Sequence, residues 1–215
     1  MDDVPSRVEH TVLGPTTTVD DVRTALDTAV EEGTRACVPP CHLADAVEYA
    51  PDVKTVTVVG FPHGQHTTET KCSEAQDAWA DGATELDVVA NLGSLRAGDL
   101  GAFQADLEAV VATVPVPVKV IVEAPLLGDG ELRRACEAAA DAGAAFVKTA
   151  TGFSEGGATV ADVAVMSEYL PVKASGGIGS WERARAMFEA GAERIGASSG
   201  GVVVREYRDA TGGGA

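Results

Sequence analysis

Three of the five lysines in this 215-residue chain sit inside apolar, β-rich segments: Lys119 in PVKVIVEA, Lys148 in AAFVKTATG and Lys173 in PVKASGG. A free lysine, with a pKa of about 10.4, is almost wholly protonated at neutral pH. Its amine becomes nucleophilic when desolvation and a neighbouring cation lower that value. The neutral amine can then attack a carbonyl and form a Schiff base, an electron sink that allows a C–C bond to be broken or made. Lys148 and Lys173 fall on consecutive segments, so one can depress the other. Asp87, in TELDVVA, could orient a lysine or move protons through a water. The residues alone leave Lys148 and Lys173 as equal candidates for the nucleophile.

Glycines supply the second ingredient. Gly176-Gly177, the run GASSGG at 196–201 and the run TGFSEGGAT at 151–159 each follow a β-rich segment. Such loops let backbone N–H groups approach an anion closely, and Ser198 and Ser199 add hydroxyls where a helix begins.

These side chains need a scaffold that turns them inward. Apolar β-rich runs recur near 9–13, 35–38, 54–60, 85–90, 116–123, 145–150, 171–175 and 194–198. Helical periodicity fills the intervals near 19–32, 42–50, 68–81, 99–112, 129–141, 159–168, 180–190 and 199–209. Thr18, Thr159 and Ser180 are N-cap signals, and Gly33, Gly82, Gly143 and Gly191 are stop signals. Eight strand-plus-helix units with short connections predict a parallel sheet closed into a single α/β (β/α)8 TIM barrel over residues 1–209, with 210–215 as a disordered tail. An open doubly wound sheet is the alternative, but its early Gly-x-Gly-x-x-Gly turn is missing.

Strand parity then sorts the side chains. Leu86 and Val88, Val118, Val120 and Val122, Val147, Val172 and Ala174, and Ile195 and Ala197 face the helices. Glu85 and Asp87, Lys119, Ile121 and Glu123, Lys148 and Ala150, Lys173 and Ser175, Gly196 and Ser198, and Cys37 face the barrel interior. A lone buried charge is commonly structural, and Lys119 with Glu123 would make a barrel-filling ion pair. A cluster of Lys119, Lys148, Lys173 and Asp87 is better explained as a catalytic site at the C-terminal mouth, because burying each ion costs several kcal/mol before pairing.

Bulk properties narrow the class. A net charge of −17 argues against nucleic acid as a partner. The acidic surface reads either as ordinary solvation or as adaptation to high salt, where its self-repulsion is screened. No apolar run is long enough to span a bilayer, and the first ten residues lack a signal pattern, so a cytoplasmic protein with no membrane partner is expected. Cys37, Cys41, Cys72 and Cys136 show no disulfide framework. Cys37-Val-Pro-Pro-Cys41-His42 lacks the partner pair of a structural zinc site, His63-x-x-His66 reads as polar lining of the barrel mouth, and no metal is expected.

Seven segments, in order over about residues 8–204, resemble the deoxyribose-phosphate aldolase family: VEHTVLGPTTT, VVGFPHG, ELDVVANLGSL, KVIVEAPLL, AAFVKTATGFSEGGATVADV, VKASGGI and RIGASSG. The fifth and sixth are the most specific. The resemblance implies a class I aldolase on a (β/α)8 barrel that interconverts 2-deoxy-D-ribose 5-phosphate with acetaldehyde and D-glyceraldehyde 3-phosphate, without metal or organic cofactor. It implies Lys148 as the Schiff-base lysine, Lys173 as the lysine that tunes it, and Asp87 as the proton-relay carboxylate. Thr151, Gly152, Gly176, Gly177, Gly196, Ser198 and Ser199 would hold the substrate and its phosphate, and Lys119, Cys37 and Glu9 would line the site. Many relatives read Asp-His-Thr-Leu-Leu-Lys-Pro where this chain has Glu9 and Gly14, and Arg-Thr where it has Gly179-Ser180. Phosphate would then lean on backbone amides. A homo-oligomer, dimer or larger, is expected. The alternatives are another Schiff-base barrel aldolase with a different sugar phosphate, or a non-catalytic sugar-phosphate binder.

Overall fold

Thr18 shows how the repeats are punctuated. Its hydroxyl accepts from the Asp21 N–H while the Asp21 carboxylate accepts from the Thr18 N–H, a reciprocal cap that opens α1 (Val19–Glu32). Gly33 closes that helix at φ 69°, the left-handed conformation glycine adopts without strain. Thr159 and Ser180 cap α7 (Val160–Met166) and α8 (Trp181–Glu189) with the hydroxyl half of that arrangement, accepting from the N–H groups of Asp162 and Arg183.

The computed structural model describes residues 3–212. Strands β1 (Val8–Thr11), β2 (Arg35–Cys37), β3 (Thr55–Val59), β4 (Glu85–Val89), β5 (Val118–Ile121), β6 (Phe146–Lys148), β7 (Val172–Ser175) and β8 (Ala192–Ala197) form a closed barrel in sequence order, all pairs parallel. The ring closes where Glu9 of β1 registers with Gly196 of β8. The remaining helices are α2 (Leu43–Tyr49), α3 (Thr68–Ala80), α4 (Leu92–Arg96), α5 (Leu100–Thr113), α6 (Asp129–Asp141) and α9 (Gly200–Thr211). The (β/α)8 barrel expected from the sequence is the fold observed.

Two departures are local. Helix α4 has no counterpart in the periodicity reading. Asn91 builds it by accepting from the N–H groups of Gly93 and Ser94, a cap strong enough to nucleate one short turn of helix. Helix α9 runs through Thr211 to a left-handed Gly212, so the expected tail from 210 starts too early. Residues 213–215 lie outside the described residues.

The helix-facing sides of the strands carry the core. Leu86 and Val88 belong to one apolar cluster; Val120, Val147, Val172, Ala174 and Ile195 belong to another. One lysine is buried in this outer layer. Lys71, on the inner stripe of α3 with Ala75 and Ala78, donates to Asp106 Oδ2 of α5 at 2.8 Å and to the Val89 carbonyl of β4 at 3.0 Å. Gly60 leaves room for its stem: a Cβ there would meet Lys71 Cε at 3.1 Å.

Candidate active site

Parallel register pairs the inward side chains two by two, with Lys148 set opposite Ile121, two residues beyond Lys119. Asp87 registers with Lys119, and Lys148 with Lys173. Asp87 Oδ2 accepts from Lys148 Nζ at 2.8 Å and from Lys173 Nζ at 2.6 Å, and Asp87 Oδ1 accepts from Lys119 Nζ at 3.0 Å. A single carboxylate oxygen therefore stands between the two candidate nucleophiles. Four of the residues that parity turned inward, on four strands, converge on one network.

Beneath them lies a floor of ion pairs. Glu9 bonds Lys173 directly and sits 3.5 Å from Lys119. Glu85 Oε2 is 2.6 Å from Lys119, and Glu85 Oε1 accepts from Arg35 at 2.7 Å. Arg194 bridges Glu9 and Glu85 at 3.3–3.4 Å and lies over the Phe146 ring. Parity could have placed Arg194 beside Gly196, but its partners come from strands β1 and β4, which only barrel closure brings near.

The electrostatics follow from this crowding. Burial opposes ionisation of Asp87, but Lys119, Lys148 and Lys173 outweigh it and hold its carboxyl well below the usual range. Burial likewise opposes the Lys173 ammonium, and Asp87 and Glu9 overcome it, so Lys173 is held charged above the ordinary lysine value. Lys119 is raised in the same way, with burial offset by Asp87, Glu9 and Glu85. Glu85 is lowered because Lys119, Arg194 and Arg35 outweigh its desolvation.

Above the network opens a cavity of about 490 Å³. Its wall holds Thr151, Gly152, Gly176, Gly177, Gly196, Ser198 and Ser199, all named from the sequence, and also Thr11, Leu13, Gly14, Phe153, Ser175, Ile178, Gly179 and Ala197. Thr11, two residues from Glu9 on β1, went unnamed from the sequence; alternation counted from Glu9 is the signal that could have found it. Lys148 lines this cavity; Lys119 and Lys173, both fully buried, do not. Gly179 leaves open space, with nothing within 4 Å of a Cβ built there. Thr149 Oγ1 donates to the Ser175 carbonyl and accepts the Ser175 N–H, both at 2.8 Å, which fixes the mouth ends of β6 and β7 together.

Cys37 sits at the edge of the network, and burial, with Asp87 adding to it, pushes its thiol up to about 11. Glu9, Cys37 and Asp87 offer ligand atoms within 4.8 Å of one another. Both carboxylates are already engaged by lysines, and the cysteine presents a thiol rather than a thiolate, so the trio is a poor cation site. The Lys119–Glu123 ion pair considered from the sequence does not form. Glu123 has a positive φ of 48°, and its carboxylate accepts instead from the Thr151 N–H and the Ser154 hydroxyl.

The family model described as DeoC/LacD family aldolase matches residues 7–206. The chain belongs to the DeoC/LacD aldolase family. It is 62% identical to the deoxyribose-phosphate aldolase of Haloarcula marismortui over 99% of this chain and 92% of that one. Among solved structures it is similar to the aldolase QR15 (TM-score 0.94, 36% identity, 98% of this chain and 99% of that one). It is also similar to the tetrameric deoxyribose phosphate aldolase of Aeropyrum pernix (TM-score 0.88, 34% identity, 96% and 92%). Halophilic relatives fit the acidic character of this family member. Among the described residues no helix is long and apolar enough to cross a membrane.

Proposed function

We propose that this aldolase reversibly cleaves 2-deoxy-D-ribose 5-phosphate to acetaldehyde and D-glyceraldehyde 3-phosphate through a Schiff base on Lys148. The observation that carries the reading is the single Asp87 oxygen shared by Lys148 and Lys173, with Lys148 alone of the three inward lysines reaching the cavity. Lys173 is held charged by two carboxylates and serves as the fixed cation beside the nucleophile. Asp87 orients the Lys148 amine and relays protons through a water.

The sugar's open-chain aldehyde carbon accepts the Lys148 amine, and loss of water gives the iminium. The C3 hydroxyl then gives up its proton as the C2–C3 bond breaks. The electron pair collects on the iminium, and the three-carbon aldehyde phosphate leaves. Protonation of the remaining enamine at carbon and addition of water return acetaldehyde and the free lysine. The phosphate is held at the far end of the cavity by backbone N–H groups around Gly176, Gly177 and Gly196 and by the hydroxyls of Ser198 and Ser199, because Gly14 and Gly179 offer no side chain there. Thr151 and Gly152 flank the sugar, and Lys119, Cys37 and Glu9 line the site from below. The chemistry needs no metal or organic cofactor. The enzyme works in the cytoplasm as a homo-oligomer, a reading supported by the tetrameric relative.

Borohydride reduction in the presence of acetaldehyde, followed by peptide mapping, tests the proposal. The expected adduct maps to Lys148. An adduct on Lys173, or none at all, refutes it; a substrate panel in which acetaldehyde fails as donor points to a different sugar phosphate.

A further inference from the structure

Glu123 is one of two non-glycine residues with positive φ among the described residues, at φ 48° and ψ 54°, and it is 4% exposed. A conformation of that kind costs on the order of 1–3 kcal/mol and persists only where its surroundings enforce it. The local hydrogen bonds show how it arises. Val122 and Ala124 donate to the carbonyls of Lys148 and Thr149, at 3.0 and 2.7 Å. Positions two apart thus meet consecutive carbonyls, and Glu123 is the left-handed residue that turns the chain from the end of β5 into the 3-10 turn Ala124–Leu126. That turn swings its side chain away from Lys119 and toward the loop that follows β6.

There the carboxylate makes a double contact. It accepts from the Thr151 N–H at 3.2 Å to each oxygen and from Ser154 Oγ at 2.9 Å. Between those two residues lie Gly152 and Phe153, which line the main cavity. Phe153 is 46% exposed and stacks edge-on against Phe61 of the loop after β3, with centroids 5.2 Å apart. A smaller cavity of about 100 Å³ lies beside the loop, lined by Glu123, Leu126, Phe153 and Ser154 among others, and gives the loop space to move into if the contacts are lost.

We infer that Glu123 is a positioning residue that latches the 151–154 loop, so that Phe153 and Thr151 form the wall against which the phosphorylated portion of the substrate rests. The inference builds on the proposed aldolase reaction. It assigns Glu123 no part in Schiff-base formation, which needs only Lys148 and its carboxylate. Loss of the latch should therefore separate two quantities that simple destabilisation would move together.

The test compares Glu123→Ala and Glu123→Gln with the native chain. The alanine variant is expected to raise KM for deoxyribose 5-phosphate by about tenfold, the scale of a lost charged hydrogen bond, while the rate of borohydride trapping of acetaldehyde on Lys148 stays as in the native chain. Glutamine, which keeps an acceptor oxygen at the same reach, is expected to recover most of the KM. Equal loss of trapping and of sugar turnover, or an unchanged KM in Glu123→Ala, overturns the inference. Hydrogen exchange over residues 151–158 reads the latch without turnover: it should quicken in Glu123→Ala at unchanged exchange in β6 and β7, and unaltered loop exchange overturns the inference. If the native chain itself traps no acetaldehyde, the aldolase reading fails, and loop exchange still decides the latch.

Discussion

Lys71–Asp106 and Lys148–Asp87 are both buried lysine–aspartate pairs with a contact of 2.8 Å, and both involve β4. Their surroundings differ in two respects. Lys71 meets one carboxylate oxygen and one carbonyl, the other Asp106 oxygen accepts from Thr68, and neither residue lines the main cavity. Around Asp87, three ammonium groups share one carboxylate; Lys119 and Lys173 also pair with Glu9, and Lys119 with Glu85, while Lys148 opens onto a cavity. A pair whose hydrogen bonds are complete holds helices α3 and α5 to the barrel. A carboxylate shared too widely leaves an amine that can exchange its proton. Burial alone does not separate architecture from chemistry; the count of partners and the opening do.

Swapping the lesions between the two pairs is the sharpest way to break the contrast. Lys148→Ala should cut aldol turnover by more than about a thousandfold, since the covalent step loses its nucleophile, with little change in the urea midpoint. Lys71→Met should do the reverse. It leaves Asp106 buried without its cation and is expected to cost about 3–5 kcal/mol in denaturant unfolding, while kcat per folded molecule holds. Adding Asp106→Leu should restore part of that loss. If Lys71→Met abolished turnover in folded protein, the distinction would collapse.

Lys173→Ala tests whether the shared oxygen matters: turnover should fall by about a hundredfold, within the range of a proton-transfer contribution, and near-native activity would remove its tuning role. The network also has a pH signature. Asp87 and Glu85 are depressed, so their stabilisation is fully present above the unfolded carboxyl range of about 3.9–4.3 and is lost as pH falls through the lower folded values. Lys119 and Lys173 are raised, so theirs is present below about 10.4 and lost as pH climbs through the higher folded values. The stability difference between native chain and Asp87→Asn should thus stay constant from about pH 5 to 9, narrow in stronger acid as Asp87 protonates, and narrow again in strong base as the lysines it raises discharge. The smallest effect is at Cys37. Buried, and with its thiol pushed up to about 11, it should alkylate with iodoacetamide far more slowly at neutral pH than exposed Cys41.

The same contrast explains what could be read in advance. Alternation on a strand is strict, so Asp87, Lys119, Lys148 and Lys173 were assignable to the interior from their neighbours alone. Lys71 was not, because helical periodicity treats lysine as a solvent-side residue. Its clues were its phase with Ala75 and Ala78 and the vacancy at Gly60, and the second of these needs coordinates. Glu123 misled for a different reason: parity assumes that the strand continues, and β5 ends at Ile121, with Glu123 in the left-handed region just past it. Helix α4 depends on a cap at Asn91 that overrides weak periodicity. The partners of Arg194 required strands 185 and 109 residues away in sequence to meet.

The ion-paired floor beneath Asp87 has a consequence for traffic. With Lys119 fully buried and the side chains of Arg35, Arg194 and Glu85 only 13%, 14% and 9% exposed, the barrel is a vessel with one opening. Whatever is bound deepest leaves last. In cleavage by the proposed route the three-carbon phosphate must vacate the neck before the two-carbon fragment at the deeper end can follow. In synthesis the queue runs backwards, with the small aldehyde obliged to enter first.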